Sequence, residues 1–201
     1  HLFEKKKLPK MFKIIGFGRR DLTDMSFKEM IFGSLSSHKS IQLKTCGEFC
    51  DIFSYHQGSF ENIADYKELA KKLKAIDDKW GVCSNKLFYL AVPPKFYEVI
   101  FDNLAKSGLT KPCSPLEGWS RVLVEKPFGR DLKTAEALDR KLGKLFKEIQ
   151  IYRIDHYLAK EMLQNILSFR FANNLFEQGW DNNSIDRIEI RLHEAIGVEK
   201  R

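Results

Sequence analysis

The chain has 201 residues, 43% of them hydrophobic and 30% charged, and its 34 Lys and Arg exceed its 27 Asp and Glu to give a formal charge of +7. That profile, with 16 phenylalanines, excludes a disordered chain. No apolar run reaches the roughly 20 residues a membrane-crossing helix needs, and no charged-then-apolar leader is visible, so a cytoplasmic protein with no membrane partner is expected.

Excess positive charge attracts anions through the field of the whole molecule. The basic residues are spread along the chain and no nucleic-acid-binding signature accompanies them. Small phosphorylated ligands are therefore expected, and nucleic acid is not. Cys46, Cys50, Cys83 and Cys113 are too scattered for a zinc ribbon and too few for a disulfide framework. They read as structural thiols, with no metal site.

In chain order, FKIIGFG (Phe12–Gly18) is an apolar run ending in glycines, which predicts a strand. Thr23 or Asp24 can cap a helix starting near Ser26. From Asp65, Leu69, Leu73, Ile76 and Trp80 recur at spacings of three and four, the mark of an amphipathic helix. KLFYLAVPP (Lys86–Pro94) reads as a buried parallel strand stopped by prolines. PPKFYEVIFDNLAKSG follows as a helix with proline in its first turn and Gly108 near its end.

RVLVEKPFG (Arg121–Gly129) predicts another buried strand, and DLKTAEALDRKLGKLFKE a helix with Leu132, Ala135, Leu138, Leu142 and Leu145 on one face. IQIYRID (Ile149–Asp155) is a strand, and HYLAKEMLQNILSFRFANNLFE one long helix. Last, Ile188, Ile190 and Leu192 alternate as in a half-buried strand. Strand and helix in alternation imply an α/β fold: a Rossmann-like parallel sheet with helices on both faces. The final strand suggests the start of an α+β domain with a mainly antiparallel sheet. The expected domains are 1–130, an incomplete dinucleotide-binding domain, and 131–201, the beginning of a substrate domain.

Ligands of open α/β sheets gather at the carboxyl ends of the strands. Arg19 and Arg20 follow the first strand, where an arginine can grip a 2′-phosphate with paired donors; the same residues also fit a solvated basic turn. Lys126 lies between a strand and Pro127, either aimed at the active edge of the sheet or reaching to water. In YRIDHYLAKE, a helix from His156 would set His156 and Lys160 one turn apart beside Tyr157. With free N–H groups at the helix start they make a phosphate cradle. Asp155 is placed to hold the tautomer of a histidine base. A capped helix with a solvated face remains the other reading.

RIDHYLAKEMLQNILSFRFAN closely resembles the RIDHYLGKE signature of the glucose-6-phosphate dehydrogenases, and EKPFGRDL, LFYLAVPP, IIGFGRRDLTD and HEAIGVE resemble further landmarks in that family's order. The resemblance implies oxidation of glucose 6-phosphate at C1 to the 6-phosphoglucono lactone, the first step of the oxidative pentose phosphate pathway, with hydride passing to NADP. It implies substrate-phosphate contacts from His156, Tyr157 and Lys160, a sugar-hydroxyl contact from Glu194, and Lys126 reaching both substrate and cofactor. It also implies cofactor contacts from Arg19, Pro93 and Pro127, and Asp155 orienting the catalytic histidine.

Ala159 stands where the signature has glycine, so a methyl group adjoins the expected sugar site. The family's first strand, its glycine-rich loop and its histidine base have no counterpart in these 201 residues. The isolated chain is therefore expected to be a largely inactive portion of a homo-oligomeric enzyme. The alternative is a non-catalytic or split homologue that binds sugar phosphate and NADP with a partner chain.

Overall fold

The chain divides into two units, 1–154 and 155–201; among the described residues of the first are five short parallel strands and the helices between them. The computed structural model describes residues 2–36, 43–114, 117–126, 128–129, 131–158, 160–189 and 191. Two strands form one sheet, β1 (Ile14–Gly18) against β2 (Phe53–Gln57). Three form another in the order β3 (Lys86–Leu90), β4 (Ser120–Glu125), β5 (Ile151–Ile154). The connecting helices are α1 (Asp24–Ser36), α2 (Leu43–Cys50), α3 (Ile63–Trp80), α4 (Tyr97–Lys106) and α5 (Leu132–Leu145).

Local chemistry accounts for most boundaries. Thr23 caps α1: its hydroxyl accepts from Ser26 N at 3.1 Å, and Ser26 Oγ accepts from Thr23 N at 2.9 Å. Asn62 accepts from Ala64 N at the start of α3, and Asp131 and Thr134 form a capping box on α5. Pro94 opens a 3₁₀ turn (Pro94–Phe96) ahead of α4, where a missing N–H costs nothing.

Alternation in β4 decides the main core. Val122 and Val124 are 0% exposed and face Ile100, Phe101 and Leu104 of α4 and Leu138 and Leu142 of α5 in one cluster. In the two-stranded sheet helices cover both faces. Phe27 of α1 packs on Phe53 and Tyr55, and on Gly16 so closely that a Cβ there would lie 2.5 Å from the ring. Phe17, on the opposite face, meets Tyr66 of α3. The three-stranded sheet is barer: Leu87 and Tyr89, on the face away from α4 and α5, are 54% and 56% exposed.

Three expectations change. Cys83 and Cys113 are joined in a disulfide, which their separation of 30 residues in sequence did not reveal. In the chain-entropy picture, closing a ring of that size stabilises the fold by roughly 3–4 kcal/mol. The long helix after residue 155 is two helices, α6 (Glu161–Phe171) and α7 (Asn174–Glu177). The closing strand is not formed over residues 184–189, where Ile188 is 75% exposed; Ile190 and Leu192 lie outside the described residues.

Among the described residues β1 and β3 pair along one edge only, whereas β4 pairs along both. Hydrogen exchange resolved by residue should therefore show the Val122–Val124 amides as the slowest. Amides of β1 and β3 that point away from the paired neighbour should exchange at least ~100-fold faster. Uniform protection across the strands would contradict this pairing.

Candidate functional site

Every residue singled out for chemistry in the described part of the chain follows the carboxyl end of a strand. Arg19 comes directly after β1, where Gly58 N donates to Gly18 O at 2.8 Å and prolongs the pairing with β2. Arg19 and Arg20 are exposed, and Arg20 Nη1 lies 4.0 Å from Met30 Sδ. The nearby acid Asp24 is occupied in folding. Its carboxylate accepts from Tyr55 N at 2.6 Å and sits 3.8 Å from Lys72 Nζ, which itself donates to Tyr55 O at 2.6 Å. Two exposed arginines thus follow β1, and the Asp24 carboxylate is turned to the backbone of β2.

At the end of β3 the chain enters Pro93 and Pro94, and Phe96 N donates back to Pro93 O at 3.0 Å. That turn delivers Tyr97 into the core, 2% exposed, with its hydroxyl donating to Glu125 O at 3.3 Å. The Tyr89 hydroxyl donates to the Glu125 carboxylate. Burial raises the pKa of Tyr97, and the hydrogen bond to Glu125 raises that of Tyr89, so both phenols stay protonated as donors. The last residue of β4 is therefore held by two tyrosines, and Lys126 is the next residue along. The sequence reading names neither tyrosine; for Tyr97 the usable signal is an aromatic with a polar tip just past a double proline, and Tyr89, inside β3, carries none.

In the second unit, Asp155 Oδ1 accepts from Tyr157 N at 3.0 Å, and Lys160 N donates to Tyr157 O at 3.0 Å. These are turns. An aspartate that captures a backbone N–H two residues on competes with helix formation, and α6 starts only at Glu161 with Lys160 as its N-cap. His156 and Lys160 are therefore not one helical turn apart, which corrects the expected cradle. Tyr157 and Lys160 are brought together, Lys160 Nζ lying 4.7 Å from the ring centroid. His156 and Tyr157 are exposed. Pro127, Ala159 and Glu194 lie outside the described residues.

The register of the sheet orders these pieces. Glu125 pairs with Ile154, so the last residues of β4 and β5 lie side by side at the carboxyl edge of the sheet. The two tyrosine contacts to Glu125 differ in worth. Tyr97→Phe leaves a part-buried carbonyl without its donor and should cost about 1 kcal/mol in a denaturant titration, whereas Tyr89→Phe, on an exposed pair, should cost less than about 0.5 kcal/mol.

Comparison with known proteins bears on the whole of this arrangement. Residues 1–165 match the family model described as glucose-6-phosphate dehydrogenase, NAD binding domain, and residues 167–201 match the C-terminal domain of the same family. The chain is 41% identical over 201 residues to a glucose-6-phosphate 1-dehydrogenase of Aggregatibacter actinomycetemcomitans, covering all of this chain and 40% of that protein. Against the Bacillus subtilis enzyme of the same name identity is 38% over 200 residues, again across 40% of its length. A solved glucose-6-phosphate dehydrogenase in complex with its substrate glucose-6-phosphate superposes with a TM-score of 0.78 at 34% identity, over 90% of this chain and 37% of that one. The enzyme from Mycobacterium avium gives a TM-score of 0.74 at 31% identity, with the same coverage. The chain thus spans about two fifths of the length of the curated relatives it matches.

Proposed function

We propose that this chain, which belongs to the glucose-6-phosphate dehydrogenase family, carries the cofactor- and phosphate-binding part of an enzyme that oxidises glucose 6-phosphate at C1 with NADP. The observation that carries the proposal is the placement of Arg19, Lys126 and Asp155, each directly after a parallel strand.

The residues present fit the cofactor in their donor chemistry. Adjacent Arg19 and Arg20 offer forked donors suited to a 2′-phosphate, and Asp24 is engaged with Tyr55 and Lys72 rather than opposing that charge. Pro93 and Lys126 would help to hold the cofactor. A bound nicotinamide supplies the hydride acceptor. Lys126, behind a Glu125 fixed by Tyr97, offers a positioned cation to the sugar phosphate and to the charge that develops on oxidation. His156, Tyr157 and Lys160 supply donors for the substrate phosphate, with Lys160 held over the Tyr157 ring. Asp155 would orient a histidine base drawn from sequence that these 201 residues do not include.

Glucose 6-phosphate and NADP⁺ offered to the chain alone and to the chain extended by its flanking coding sequence test the proposal. NADPH formation is expected from the extended protein and not from the 201 residues. No NADPH from either form would overturn it, and activity that appears only on adding a second chain would favour a split enzyme. In the active form, Arg19→Ala should raise KM for NADP⁺ roughly 10- to 100-fold and leave KM for NAD⁺ nearly unchanged.

A further inference from the structure

We propose that Cys83 and Cys113 form a reversible thiol–disulfide site, opened by thiol reductants and closed by their disulfides. The bond ties the loop between α3 and β3 to the loop between α4 and β4, with the two Cα atoms 6.3 Å apart. It borders a cleft of about 680 Å³ lined also by Asp77, Lys86, Lys111 and Glu117. Cys113 is exposed and Cys83 half-buried, so an attacking thiolate can reach the bond. Cys50, by contrast, is buried. In a reducing compartment such as the expected cytoplasm, a disulfide this accessible exchanges with the thiol pool.

The two halves are held differently. Asp77 accepts from Ser84 N at 3.2 Å, from Ser84 Oγ, and from Lys86 Nζ at 2.8 Å, while Val82 N donates to Asp77 O at 3.3 Å. The Asp77 and Lys86 side chains are only 12% and 13% exposed. Cys83 therefore keeps its place without the disulfide. Cys113 sits in a surface turn closed by Ser114 N to Glu117 O at 3.2 Å and Glu117 N to Ser114 Oγ at 3.0 Å. Gly118, at φ +66°, packs on it so closely that a Cβ would lie 2.8 Å from Cys113 Sγ.

The exchange follows from that asymmetry. A thiolate attacks Cys113 Sγ, the S–S bond breaks, and Cys83 leaves as a thiolate that takes up a proton. A second thiol attacks the mixed disulfide and releases Cys113. Two thiols are oxidised to one disulfide as the protein disulfide is reduced to two thiols. The Asp77 carboxylate and the two sulfurs all lie within 4.8 Å of one another, and this negative charge opposes the thiolate forming on Cys83. Burial acts to raise the pKa of Asp77, but the bonds from Lys86 and Ser84 outweigh it and keep the group ionised. The same three residues have the ligand types of a metal site, yet in the disulfide neither sulfur is a thiolate able to bind an ion.

The test equilibrates the 201-residue chain across graded ratios of reduced to oxidised dithiothreitol, traps thiols with a maleimide, and maps the labelled peptides. Cys83 and Cys113 should gain label together in one two-electron step, with Cys50 unlabelled until denaturant is added. Hydrogen exchange of the reduced chain should rise roughly tenfold or more at residues 111–114 and 117–119 and less than about threefold at 82–86. Asp77→Asn should open at least about threefold faster. Cys83→Ser/Cys113→Ser, checked for folding by circular dichroism, should show no redox-dependent exchange; should it fail to fold, the unmodified chain still decides. Free thiols at both positions in oxidised dithiothreitol, resistance to reduction short of unfolding, or exchange that rises evenly along the chain would overturn the proposal.

Discussion

The first unit depends on the burial of one face of β4. Val122 and Val124 lose all contact with water, and strands pair on both sides of them. Each such side chain contributes about 1.5–3 kcal/mol on transfer from water, an upper figure because unfolded chains are already partly collapsed. The hydrophobic effect has no direction of its own; the parallel pairing supplies it. Once Val122 and Val124 face α4 and α5, Leu123 and Glu125 must point the other way, and β4 must hand over to Lys126 at the same edge at which β3 hands over to Pro93.

The opposite face of that sheet shows what the arrangement costs. Leu87 and Tyr89 stand more than half exposed, and the neighbouring Arg121 lays its guanidinium over Trp119 at 4.2 Å and Tyr152 at 5.3 Å. A cation on two aromatic rings covers apolar surface while keeping its own charge near water. In doubly wound sheets of order 3-2-1-4-5-6, the pairs found here, β2 with β1 and β3 with β4 and β5, correspond to the two wings on either side of a central strand. Among the described residues β1 and β3 each pair along one edge only, and the other edge is the one such a strand would occupy.

Much of the first unit was legible in the sequence, because buried parallel strands are short apolar runs and the helices between them carry a clear period. The strand and helix readings around Val122, Leu138 and Leu142 rest on that periodicity. What was not legible depended on competition or on distance along the chain. Asp155 was visible as a helix cap, but its side chain takes Tyr157 N and delays the helix to Glu161, a local choice that hydrophobic spacing does not record. The contacts of Tyr97 and Tyr89 with Glu125 span 28 and 36 residues, and the cysteine pair spans 30. Pairings of that range follow from topology. Sequence spacing does not encode them.

The two ends of the three-stranded sheet therefore do different work. The carboxyl ends of β3 and β4 carry Pro93 and Lys126, while at their amino ends Lys86 N donates to Trp119 O at 2.8 Å, beside the loops that hold Cys83 and Cys113. Strands of five and six residues put these ends roughly 15–20 Å apart. The Lys86–Trp119 bond, the Asp77–Lys86 pair and the buried valines do not involve the two sulfurs. Strand register, and with it the point at which β4 hands over to Lys126, rests on pairings that do not include the cysteines. Among the described residues, the freedom proposed on reduction falls on the Cys113 turn, which rests on the disulfide and on local hydrogen bonds rather than on the core.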